Sequence, residues 1–212
     1  QESFRHVAPG GRALYATLLA ESHARMMQHM ASFSFFDARQ IGRGLTFVSG
    51  FSLLESDGLK GVLSLLQREV VGKKISLLVI DGLVTAELLA PSETDVKKFI
   101  HELQALLSLS QCTALLLTNP AGRMSYPAHT MVDGVVELRD DRVGLRAVRR
   151  LNVVKFRGST HLRGDHVFDI TSEGITVHPR LESLPVPTTT EAGGGKRLAV
   201  GVAQLDRMLG GG

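Results

Sequence analysis

The stretch Ile75-Ser76-Leu77-Leu78-Val79-Ile80-Asp81 constrains the fold of this chain more than any other. It is an almost continuous apolar run, bounded by Lys73-Lys74 before it and Gly82 after it. An alternating strand would leave one face for water, so a run apolar on both faces predicts the central strand of a buried parallel sheet. Asp81 then ends that strand on the edge where open α/β sheets bind ligands. A carboxylate there suits a hydrated magnesium ion beside a phosphate, and it equally suits the cap of a following helix. The spacing alone does not choose between the two.

The surrounding chain supplies the alternation that such a strand needs. Gln1 to Val7 reads as the end of a helix broken by Pro9-Gly10-Gly11. Arg12 to Leu19 reads as a strand followed by Glu21, and Ser22 as the cap of a helix carrying Met26, Met30 and Phe33 at helical spacing. Leu45 to Ser49 is a short strand, and Asp57 to Val71 an amphipathic helix with Leu59, Val62, Leu63, Leu66 and Val70 on one side. Ser92 and Asp95 form a capping box for a helix to about Leu109, and Cys112 to Leu117 is a strand ending in Thr118-Asn119. This β-α-β-α-β-α-β order predicts a parallel sheet between helical layers.

Beyond Asn119 the pattern changes. Pro120 to Met131 reads as a loop. Val135 to Arg139 and Leu145 to Phe156 predict an antiparallel hairpin extending the sheet, turned at Asp-Asp-Arg-Val-Gly. Short strands follow near Val167 to Ile170 and Ile175 to His178. Proline, threonine and glycine between Ser183 and Lys196 predict a linker. The expected organisation is a domain over 1–184, a linker over 185–196 and the start of a further domain over 197–212.

The totals exclude several classes. A chain of 212 residues with 24 Lys plus Arg against 21 Asp plus Glu, net +3, is too mildly basic to imply nucleic acid from charge alone. No apolar stretch reaches membrane-spanning length, which leaves the cytoplasm as the expected compartment. The single cysteine, Cys112, excludes an internal disulfide. The eight histidines show no H-E-x-x-H spacing, and no G-x-S-x-G elbow exists. What remains is a nucleotide site in parts. Asp81 is the metal candidate, and Glu21 lies on the same edge, where it either orients water or sits as an acid in a helix first turn. Lys155 and Arg157 alternate onto one face of a strand before His161; they suit a phosphate, or serve as gatekeeping charges on a strand edge. No G-x-x-x-x-G-K-[ST] cradle is present.

The succession ALYATLLAES, ISLLVIDGL, LLLTN, VDGVVELRD and above all VVKFRGSTHLRGDHVFDITSEGITVHPRL resembles the KaiC-like branch of the RecA-like P-loop ATPases, over about residues 1–181. The resemblance implies a three-layer α/β/α fold with a mostly parallel central sheet and a C-terminal antiparallel hairpin extension. It implies an ATP-binding and ATP-hydrolysing module using Mg2+, in a homo-oligomeric ring expected to be hexameric, acting on protein partners the sequence does not name. Asp81 falls on the Walker B magnesium position and Glu21 on the water-activating glutamate. Lys155, Arg157 and His161 fall on the motif that reaches the nucleotide of the adjacent subunit, and Thr118 and Ser159 stand with Asp81 as cofactor contacts. Two departures matter. Family members often carry two glutamates where this chain has Ala20-Glu21, and the Walker A loop is missing. The chain is therefore expected to run from just after one P-loop to just before another, and by itself to bind Mg-ATP weakly or not at all. The alternatives are a nucleotide-gated binding module without hydrolysis, and a RecA-like DNA-binding ATPase. The latter is disfavoured because Asp140 and Asp141 interrupt the arginines and the candidate DNA loop holds only Arg123.

Overall fold

The structure is a computed structural model that describes residues 1–20, 23–119, 127–183 and 201–208. The chain divides into two compact units, Gln1–Pro179 and Arg180–Gly212. In the first, α1 (Glu2–Val7) leads into β1 (Ala13–Thr17), α2 (His23–Met30), a 3-10 turn at Ala38–Gln40 and β2 (Leu45–Ser49). Then come α3 (Phe51–Lys73), β3 (Leu77–Asp81), α4 (Leu83–Leu89), α5 (Glu93–Leu109) and β4 (Thr113–Leu117). The rest is α6 (Pro127–Met131) and the strands β5 (Gly134–Val143), β6 (Arg146–Phe156), β7 (Asp165–Thr171) and β8 (Gly174–His178). In the second unit the described elements are a 3-10 turn at Leu181–Ser183 and α7 (Ala203–Met208). The expected linker, 185–196, lies outside the described residues.

The first four strands form a parallel sheet in the order β2-β1-β3-β4. Successive residues of a strand point to opposite faces, and here the two faces carry separate cores. Leu14, Ala16 and Leu18 of β1 and its extension join Leu78 and Ile80 of β3 against Leu66 and Val70 of α3, Ala86 of α4 and Phe99, Ile100 and Leu103 of α5. The opposite parity, Ala13, Leu45 and Leu77 with half-buried Tyr15 and Phe47, packs against Phe4 and Val7 of α1 and against Met30, Phe35 and Phe36. That is the predicted central strand: β3 is flanked on both edges and covered on both faces. The α1 face does not extend over β4, where Leu115 and Leu117 are 38% and 43% exposed.

Helix signals were legible where a cap marked them. Ser92 caps α5 by accepting from the Asp95 N–H at 3.2 Å, and its hydroxyl donates to the Asp95 carboxylate at 2.7 Å. The helix expected over Asp57 to Val71 is the second part of α3, which starts at Phe51 and breaks at Gly58, where φ is 62° and ψ is −155°. Only glycine adopts that backbone cheaply.

Residues expected to be loop up to Met131 include α6, a helix whose Met131 carbonyl accepts from the Gln104 side chain of α5 at 2.7 Å. The hairpin turns later than expected, at Gly144-Leu145 between paired Val143 and Arg146. Asp140 and Asp141 stay in the strand, opposite Arg149 and Val148. Nor do its strands continue the parallel ladder: β5 to β8 make a second, antiparallel sheet of four. Its β7–β8 turn rests on the start of the chain, with the Ile175 N–H donating to Gln1 Oε1 at 2.8 Å and the Ser34 N–H to Ser172 O at 2.8 Å.

Candidate functional site

Parallel register brings the carboxyl ends of β1 and β3 level, Thr17 beside Asp81. The Leu18 N–H donates to the Asp81 carbonyl at 2.8 Å, locking the two strand ends together. Gly82 then turns the chain with φ 84°, and a Cβ there would stand 2.7 Å from the Leu19 side chain. The sharp turn starts α4 directly after Asp81. Asp81 does not cap that helix: Gly82 is the N-cap residue and makes no side-chain cap. The Asp81 side chain instead lies on the α1 face of the sheet, where the Tyr15 hydroxyl donates to its Oδ2 at 2.6 Å. Tyr15 reads from sequence as an ordinary strand residue. Only the register of β1 against β3, which puts residue 15 diagonal to residue 81, reveals the pair.

Thr118 follows β4, half-buried, one residue past Leu117, which pairs with Asp81 in register. Glu21 lies outside the described residues, as does the part of the candidate DNA loop, 120–126, that holds Arg123.

Lys155 and Arg157 share a face, as the alternation predicted, but that face meets the end of α6. The Lys155 ammonium donates to the carbonyls of His129, Thr130 and Val132 at 3.0, 3.2 and 2.6 Å. An ammonium carries three donors, so all three are used. These are the carbonyls a helix leaves unpaired at its C-terminal end, where a cation is also favoured by the helix dipole. Arg157 donates to the Thr130 carbonyl at 3.2 Å and lies 3.7 Å from the Asp133 carboxylate, with its side chain 56% exposed. Ser159 is exposed, its hydroxyl donating to the Thr160 carbonyl at 3.3 Å, and His161 is half-buried. Among the described residues, no hydrogen bond or ion pair joins this cation group to Asp81.

Part of the basic region of the second sheet is paired from within. Arg139 and Arg150 both pair with Asp165, Arg150 also with Asp141, and Arg149 with Asp140. Cys112 is buried, and burial pushes its thiol up to about 11.

A magnesium ion keeps several waters and uses one or two carboxylates plus phosphates, whereas an all-protein cage needs a ligand cluster. The described residues hold no group of three or more His, Cys, Asp or Glu placed so that it could hold a metal ion. A single strand-end carboxylate fits the first kind of site and not the second. Two cavities lie away from Asp81, one along α3 at Asp57, Lys60 and Arg68, the other at Arg12, Arg43 and Lys73. No described helix is long and apolar enough to cross a membrane.

The family described as ATPase: KaiC matches residues 17–182. A circadian clock oscillator protein KaiC from Rippkaea orientalis is 28% identical over 206 residues, covering 91% of this chain and 38% of that protein. KaiC 1 from Synechocystis is 27% identical over 205 residues, with the same coverage of each. The chain thus spans about two fifths of the length of these curated relatives. Among solved structures, a KaiC-like protein from the archaeon Pyrococcus horikoshii OT3 superposes with a TM-score of 0.71 at 23% identity, covering 84% of this chain and 80% of that one.

Proposed function

The chain belongs to the KaiC family of ATPases, and from that premise we propose that it is the ATP-binding module of a ring-forming regulatory ATPase that hydrolyses ATP at sites shared between neighbouring copies. The observation that carries the reading is Asp81, a carboxylate at the carboxyl end of the central strand, aimed to the α1 face and held by Tyr15. Asp81 would hold Mg2+, which when bound offsets the charge of the phosphates. Glu21 would orient the attacking water and take its proton. Arg157, more than half exposed, and His161 would approach the nucleotide of the adjacent copy, the guanidinium fork matching phosphate oxygens. Thr118 and Ser159 would add hydroxyl contacts on either side.

Lys155 takes a different part in this proposal. With three carbonyls on its ammonium it fixes α6 and so the strand end that presents Arg157, a positioning role. Its engagement in the chain's own backbone, together with Ala20 beside Glu21, favours a second reading, a module that holds nucleotide and gates protein partners without turning it over. A DNA-binding role is disfavoured by the internal pairing of Arg139, Arg149 and Arg150. Cytoplasmic residence, a hexameric ring and signalling through protein partners belong to the same proposal.

The test is steady-state ATP hydrolysis by the natural protein containing this chain. Asp81→Asn and Glu21→Gln are each expected to lower turnover by about 100-fold or more. Turnover unchanged in Asp81→Asn refutes the reading. Tight ATP binding with no turnover in the wild type selects the second one.

A further inference from the structure

Resting on the reading of Asp81 as the magnesium carboxylate, we propose that Tyr15 sets the metal specificity of the site. By occupying Oδ2 it leaves Asp81 a single oxygen for the cation, which favours Mg2+ over Ca2+. The hydroxyl reaches the carboxylate at 2.6 Å, a charge-assisted bond of normal length for O–H to an ionised oxygen. The donor is not a swinging group. Its ring is half-buried on the α1 face of β1 and packs on Phe47 of β2 at 5.5 Å between centroids, and Phe47 packs in turn against the His23 ring at 5.8 Å. Tyr15 therefore fixes both the rotation of the carboxylate and which oxygen is engaged. Among the described residues, Asp81 Oδ1 accepts no hydrogen bond.

The two cations differ in what they ask of a carboxylate. Mg2+ demands near-octahedral geometry, keeps much of its water and is served by one oxygen or by a water bound to it. Ca2+ is larger, takes six to eight oxygens and gains from a carboxylate that chelates with both. A carboxylate with one oxygen already holding a phenol offers the first arrangement and obstructs the second. Tyr15 is a positioning residue in this account, since it acts on the cation only through Asp81.

The experiment uses the natural protein loaded with ADP, with Mn2+ as the reporter by water-proton relaxation. Mg2+ and Ca2+ are each titrated in competition. Tyr15→Phe, which keeps the ring and removes the hydroxyl, is expected to lower the Mg2+:Ca2+ affinity ratio by about threefold or more. Site-specific 3-fluorotyrosine at position 15, a stronger donor, is expected to raise it, and serves where Tyr15→Phe does not fold. A merely structural tyrosine would lower thermal stability and leave the ratio alone. An unchanged ratio, with Mn2+ binding abolished in Asp81→Asn, overturns the role of Tyr15 and leaves the Asp81 site standing. Mn2+ binding unchanged in Asp81→Asn overturns the Asp81 reading and this inference with it.

Discussion

Gly82 is the residue on which the placement of Asp81 depends most directly. Its φ of 84° lies in the left-handed region, and an added Cβ would collide with Leu19 at 2.7 Å. Gly82→Ala is expected to cost about 1–2 kcal/mol from the backbone alone, with more from the displaced Leu19. The check is the urea midpoint. Cys112 gives a second prediction. Burial raises its thiol from 9.0 to about 11, so the folded state holds it neutral. Its contribution to stability is complete below about pH 9 and is lost as pH rises from there through about 11, a decline that Cys112→Ala should lack in alkaline denaturation curves. At neutral pH the thiol should react with iodoacetamide only after unfolding. At this scale the sequence shows the residues whose chemistry is local. Asp81 at a strand end and the Ser92–Asp95 cap need no partner from afar. Tyr15 was hidden because its role depends on a residue 66 positions away, and pairing across parallel strands leaves no mark in local spacing.

Among the elements, α6 depends most on side chains outside itself. It has five residues, too few to be stable alone, and Lys155 closes its last turn. Lys155→Ala is expected to lower stability by about 1–2 kcal/mol and to speed amide exchange selectively over 129–133. Uniform exchange across the chain would contradict that assignment. The same dependence explains why α6 escaped the sequence: its stability comes from β6 and α5, not from its own pattern. α4 was missed for a related reason, since Leu83-Val84-Thr85-Ala86 follows the Asp81-Gly82 turn without a capping side chain. In the hairpin, Asp140-Asp141 has the composition of a turn but is held in strand by Arg149 and Arg150 across the ladder. The four parallel strands were legible because short, mostly apolar runs alternate with helical patterns, the unbroken run of β3 most clearly.

Across the whole molecule, the alternation of strands and helices specified the parallel sheet and its two covering layers. It did not specify that β5 to β8 would form their own sheet, because which edge a strand joins is settled by tertiary packing and not by its own residues. The outer edge of β4 carries no strand among the described residues, and Leu115 and Leu117 beside Asp81 remain exposed. The candidate site is likewise split, Asp81 at the end of a strand of one sheet and Arg157 just past the end of β6 in the other. The proposed site shared between copies would give that split a function, because one copy's carboxylate would then meet the next copy's guanidinium. The most direct test mixes two inactive chains of the natural protein, Asp81→Asn and Arg157→Ala, and measures ATP turnover. With random assembly at equal amounts, a site is whole when its Asp81 and its neighbour's Arg157 are both intact, so about a quarter of wild-type turnover should return. A mixture no more active than its separate components, though the chains co-assemble, would contradict a site built from two copies.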